Sequence, residues 1–109
     1  MVTVLTVVDT PTISPAHYMD RLRKYTYPLP DVLDHALHLP RRLSRRTPVD
    51  EMEMHRALLG CFFIASKVLE DDTFTLQYMA RVGGVSCPDL VEIERFIIDI
   101  LEWDVSVPY

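Results

Sequence analysis

Apolar positions recur along this chain with a period near 3.6 residues, and prolines, glycines and polar runs break the pattern into segments. Tyr18, Leu22 and Tyr25 stand at i, i+4 and i+7, behind Ser14 as a natural cap and Pro15 at the first helical position. They predict a first helix from about Pro15 to Tyr25. Val32, Leu33, Ala36, Leu37 and Leu39 predict a second, starting at about Pro30. Pro40 should kink or end it, leaving "RRLSRRTP" as a basic connection. Thr47, Pro48 and Asp50 then read as cap, N1 proline and N3 acid of a third helix, from about Pro48 to Leu69. Between Ala57 and Ala65 that segment is apolar on nearly every side, the mark of a helix surrounded by others.

Two shorter segments follow. "TFTLQYMARVGG" predicts a fourth helix from about Thr75 to Val82, stopped by Gly83 and Gly84. "SCPD" starts the fifth, with Ser86 as cap and Asp89 closing a capping box. That helix should run from about Pro88 to Trp103 and bury Leu90, Ile93, Ile97, Ile100 and Leu101. No segment after residue 12 alternates with period two. The pattern predicts an all-α domain over residues 13–109, with five helices and the third at its centre. The Val/Thr-rich residues 1–12 should form an extended N-terminal arm.

Composition narrows the class. A chain of 109 residues, 49% hydrophobic and 25% charged, suits one globular domain. No apolar run reaches the roughly 18 residues of a membrane span, and "MVTVLTVVDT" has no secretory signal pattern. Cys61 and Cys87 lie far apart without metal spacing and read as reduced thiols, in keeping with a cytoplasmic or nuclear protein. The net charge of −5 is uneven: residues 1–46 carry +3 and residues 47–109 carry −8. The acidic second half argues against a nucleic-acid face.

No enzyme signature, glycine-rich phosphate loop or nucleophile motif is present, so neither catalysis nor a cofactor nor a small-molecule substrate is expected. His35 and His38 stand three apart on one helix without a third ligand nearby and read as helix-surface histidines. Glu70, Asp71 and Asp72 lack calcium-loop spacing and read as a solvated helix end. Arg-Arg-Leu-Ser fits a basophilic kinase site at Ser44, and Thr47-Pro48 fits a proline-directed one. A phosphate there would sit beside four arginines; the plainer reading is an exposed loop with a helix cap at Thr47.

From the third helix on, the order becomes specific. "HRALLGCFFIASKVLEDD", then "YMARVGG", then "LVEIERFIIDILEWDV" resembles the cyclin box, and "YMDRLRKYT" resembles its first-helix motif. The similarity is greatest to PHO-family cyclins, the fungal phosphate-system and plant U-type groups, over about residues 13–107. The resemblance implies a regulatory subunit, not an enzyme. It would bind a cyclin-dependent protein kinase and hold the kinase's mobile helix inward, so that its glutamate can pair with the ATP-positioning lysine. A kinase-independent interaction module is the alternative. Pro40 and Arg41 depart from the family pattern, so the end of the second helix should be distorted. The first helix also lacks the "MRAIL" docking motif of cell-cycle cyclins.

Two residues carry the implied contact. Lys67 in "ASK" and Glu94 in "EIERF" match the lysine and glutamate that face the kinase in that family. On the residues alone, Lys67 is a last-turn lysine favoured by its own helix dipole. Glu94 could equally pair with a lysine or arginine of this chain.

Overall fold

The computed structural model describes residues 14–26, 30–50, 53–69 and 75–105. The expected arm at 1–12 and the acids Glu70, Asp71 and Asp72 lie outside them. The described residues form five helices and no strand: α1 (Pro15–Thr26), α2 (Pro30–Arg46), α3 (Met54–Leu69), α4 (Leu76–Gly83) and α5 (Cys87–Ile100). The all-α class and the element order match the hydrophobic pattern.

α3 is the hub. Every residue from Ala57 to Ser66 is buried, and α2, α5 and α1 pack around it. Polar loss along such a helix is small, because its backbone bonds close within the segment and its side chains are nearly all apolar. At its entry, Asp50 Oδ1 accepts from the Glu53 amide at 2.9 Å, while Glu53 Oε1 accepts from the Asp50 amide at 3.4 Å. This reciprocal capping box displaces the expected start. Thr47 cannot cap α3, since its amide still donates to Leu43 O at 2.9 Å and so belongs to the end of α2.

α2 corrects the expectation at Pro40. The helix continues through the proline to Arg46. Val32, Ala36, Leu39 and Leu43 form one buried stripe that spans it, facing α3. A helix-interior proline costs about 3 kcal/mol. Burying leucines at 39 and 43 returns about 1.5–3 kcal/mol each, so packing outweighs the lost backbone bond. The stripe also differs in detail: Leu37 is exposed, and His35 takes a buried place instead. His35 is therefore not a surface histidine; its Nε2 lies 2.7 Å from Val105 O, tying α2 to the segment after α5.

One turn on, Arg42 Nε donates to His38 Nε2 at 2.8 Å, and Arg42 Nη1 donates to Asp104 O at 3.0 Å. Only a neutral imidazole can accept from a guanidinium. Partial burial of the ring, and then the Arg42 charge, hold the His38 pKa below its usual 6.5. The folded state therefore binds fewer protons than the unfolded one, and this contribution is complete above pH 6.5 and declines as pH falls below it. Stability measured by urea unfolding should drop between pH 7 and pH 5.5, and His38→Gln should flatten that slope. An unchanged slope in the variant would remove His38 as its source.

α4 and α5 end alike. Gly84 (φ +74°) gives its amide to Arg81 O, and the Val85 amide reaches Ala80 O at 3.0 Å. After α5, Glu102 donates to Asp99 O at 3.1 Å and Trp103 to Ile98 O at 2.9 Å, the same Schellman pattern. This turn, not a continued helix, occupies the expected last residues to Trp103. Here the left-handed position is held by Glu102 (φ +54°), with Trp103 (φ +65°) after it. An L-residue there costs about 1–2 kcal/mol. Glu102 also makes an exposed 3.5 Å pair with Arg46, worth at most about 0.5 kcal/mol. Glu102→Gly should therefore raise stability by roughly 0.5 kcal/mol, seen as a higher urea midpoint at unchanged slope. A lower midpoint would contradict this.

Candidate functional site

The site is built where α3 meets α5. Gly60 lies on the face of α3 against α5: a Cβ added there would stand 2.4 Å from Ile97 Cδ1 and 2.7 Å from Ile93 Cγ2. A bare α-carbon is what allows the two helices to approach this closely. Seven residues on, two helical turns along the same face, stands Lys67. On α5, Glu94 follows Ile93. The two charged side chains meet, with Lys67 Nζ 2.8 Å from Glu94 Oε2.

The pair sits at the edge of the core. The Lys67 side chain is 46% exposed and that of Glu94 20%. Lys67 Nζ lies 4.3 Å from the centroid of the buried Phe63 ring, one turn back, in cation–π range. Glu94 Oε2 is buried and receives no aligned hydrogen bond; its contact with Lys67 is ionic. Beside the pair are two of the exposed large apolar side chains, Val68 next to Lys67 and Val91 one turn before Glu94 on α5. The surface thus combines one ordered cation, one half-buried acid and two exposed valines.

The structure brings Lys67 and Glu94 together and places the other two candidates, Ser44 and Thr47, at the end of α2. Ser44 is exposed within the last turn of α2, not in a loop. Thr47 is half-buried just past that helix, outside regular structure. Residues of the "HR" motif also find work. His55 packs edge-on against Tyr18 of α1 at 4.8 Å between centroids, and Arg56 pairs with Asp89 of α5 at 3.6 Å. Asp89 thus gives its amide to Ser86 Oγ and its carboxylate to Arg56. Cys61 is buried in α3, and burial pushes its thiol up to about 12; such a thiol is an inert core group.

The chain matches the family model described as Cyclin over residues 4–105. It is 35% identical to Cyclin-U1-1 of Arabidopsis thaliana over 94% of this chain and 50% of that protein. It is 34% identical to Cyclin-U3-1 of the same plant, covering 97% of this chain and 49% of that one. Against Cyclin-P1-1 of Oryza sativa the identity is 31%, covering 91% and 39%. The chain belongs to the cyclin family, whose members are regulatory rather than catalytic. It spans about half the length of the first two relatives.

Proposed function

We propose that this chain is the regulatory subunit of a cyclin-dependent serine/threonine kinase and that Lys67 and Glu94 face that kinase. The observation carrying the proposal is the Lys67–Glu94 pair, partly exposed and flanked by Val68 and Val91, in a chain of the cyclin family. Lys67 has three donors, of which the ion pair with Glu94 occupies at most one. The others can reach carbonyl oxygens at the end of a partner helix, where the dipole favours a cation. Glu94 and the Phe63 ring hold the lysine in place beforehand, which lowers the ordering entropy lost on binding. Binding energy available only with the kinase's mobile helix inward would shift its population to the active state.

Within the family, a PHO-type assignment is supported by the plant U-type relatives and by a fungal one. The chain is 30% identical, over 88% of its length, to 20% of a Neurospora crassa protein named Nuc-1 negative regulatory protein preg. The test is co-purification with candidate kinases, followed by phosphorylation of a histone-type substrate. Capture of an active kinase is the expected result; capture of none would leave the kinase-independent interaction module.

Thr47-Pro48 is proposed as a proline-directed phosphorylation site. It lies one residue past α2, with its amide still bonded to Leu43 O, so a kinase need release only that one bond to take it up. Ser44 would require the last turn of α2 to open. Mass spectrometry of protein from cells should therefore find phosphate on Thr47 in preference to Ser44. Phosphate on Ser44 alone would reverse this order.

A further inference from the structure

A second surface lies between α1 and α4, helices that carry neither Lys67 nor Glu94. A pocket of about 170 Å³ is lined there by Arg21, Tyr25, Tyr78, Arg81 and Val82. Its walls are fixed by three bonds between the two helices. Tyr18 OH donates to Gly83 O at 2.6 Å, Arg21 Nε donates to Val82 O at 2.9 Å, and Tyr78 OH donates to Tyr25 O at 2.6 Å. With Nε committed, the two Nη groups are the donors Arg21 can offer to a ligand. Arg81, exposed in the last turn of α4, supplies a second guanidinium. Tyr25 is 48% exposed, and Lys24 Nζ stands 5.6 Å from its ring, a third cation at the rim.

The five lining residues include no acid, in a chain whose net charge is −5. Two arginines around one opening complement a dianion that can take forked hydrogen bonds from both, which is the geometry of a phosphate monoester. The pocket is open, and the phenol rings of Tyr25 and Tyr78 add apolar lining beside the two arginines. A free ion has no use for that lining; the residues adjoining a phosphorylated side chain do. We propose that the α1–α4 pocket binds a phosphoserine or phosphothreonine side chain presented on an extended peptide, with Arg21 and Arg81 on the phosphate and Tyr25 and Tyr78 against its neighbours. Recognition of this kind by paired arginines is a recurring way of reading phosphorylated segments. It stands apart from kinase binding at Lys67 and Glu94 and can be tested without a kinase.

The test uses the full chain and a fluorescein-labelled peptide, Gly-Ser-Gly-phosphoserine-Gly-Ser-Gly, followed by anisotropy and by amide NMR shifts. Expected are saturable binding at least tenfold tighter than that of the unphosphorylated peptide or of inorganic phosphate, and shifts centred on Arg21, Tyr25, Tyr78 and Arg81. Arg81→Gln should weaken it at least tenfold with an unchanged unfolding midpoint, because Arg81 is exposed. Arg21→Lys should also weaken it, although loss of the Val82 bond could loosen the fold; Arg81→Gln therefore decides. Equal binding of the unphosphorylated peptide, equal binding of inorganic phosphate, tighter binding to vesicles carrying phosphatidylinositol phosphate, or indifference to Arg81→Gln would each overturn the proposal.

Discussion

Reversing Lys67 to Glu will abolish capture of a cyclin-dependent kinase, and adding Glu94→Lys will restore the fold without restoring the capture. The two residues are 2.8 Å apart within this chain, so a single reversal sets two carboxylates against each other. With Lys67 46% exposed, screening limits the loss of fold stability to about 0.5–1 kcal/mol. The double reversal recreates an attractive pair at the same place and should recover most of that loss. Toward a kinase the double variant still presents each charge with the wrong sign. Breaking desolvated charge contacts in an interface costs about 2–5 kcal/mol, which is a loss of roughly 30-fold to several thousand-fold in affinity. Unfolding curves and kinase pull-downs on the wild type, Lys67→Glu, Glu94→Lys and the double variant separate the two roles. If the double reversal regains the kinase together with stability, the pair is purely internal and the proposed contact is wrong.

That cycle is needed because periodicity and structure address different parts of the question. The spacing of apolar residues was enough to place all five helices, because burial on a helix depends on every third or fourth residue of one segment. It was also enough to make α3 central, since only a surrounded helix can be apolar on all sides. It could not show that Lys67 and Glu94 touch. They are on different helices, and their approach is set by the absence of a side chain at Gly60. The same holds for Arg21 and Arg81, which share a pocket only because Tyr18, Arg21 and Tyr78 bond α1 to α4.

Local rules failed where tertiary packing overrode them. Pro40 reads as a helix breaker, yet Leu39 and Leu43 both face α3 and hold α2 together across it. Thr47-Pro48 reads as a helix start, but Asp50 and Glu53 satisfy each other's amides and fix the start of α3 later. Tyr25 reads as part of the apolar face of α1. That face is instead completed by Met19 and Thr26, and the Tyr25 ring is exposed while its carbonyl accepts from Tyr78. In each case a residue's own propensity was weaker than the contacts available to its neighbours.

Gly60→Ala will destabilise the domain by up to about 2 kcal/mol, although alanine is the better helix former. Alanine gains about 1 kcal/mol of helix propensity over glycine. Against this, the new Cβ would stand 2.4 Å from Ile97 Cδ1 and 2.7 Å from Ile93 Cγ2. Both isoleucines are fully buried, so neither can swing into solvent. Overpacking of this kind costs about 1–3 kcal/mol and should exceed the propensity gain, because the Ile93 methyl sits on a β-branched carbon with restricted rotation. Ile97→Val removes the Cδ1 atom that makes the shorter contact. Alone it should cost about 0.5–1.5 kcal/mol through the space it leaves. In the Gly60→Ala background it should cost nothing or be favourable, since the new methyl occupies that space. Urea unfolding of the two single variants and the double variant measures this coupling directly. Strict additivity would mean that α3 and α5 move apart instead of clashing. That separation would also draw Lys67 away from Glu94, so Gly60→Ala would then weaken kinase capture with both charged residues intact.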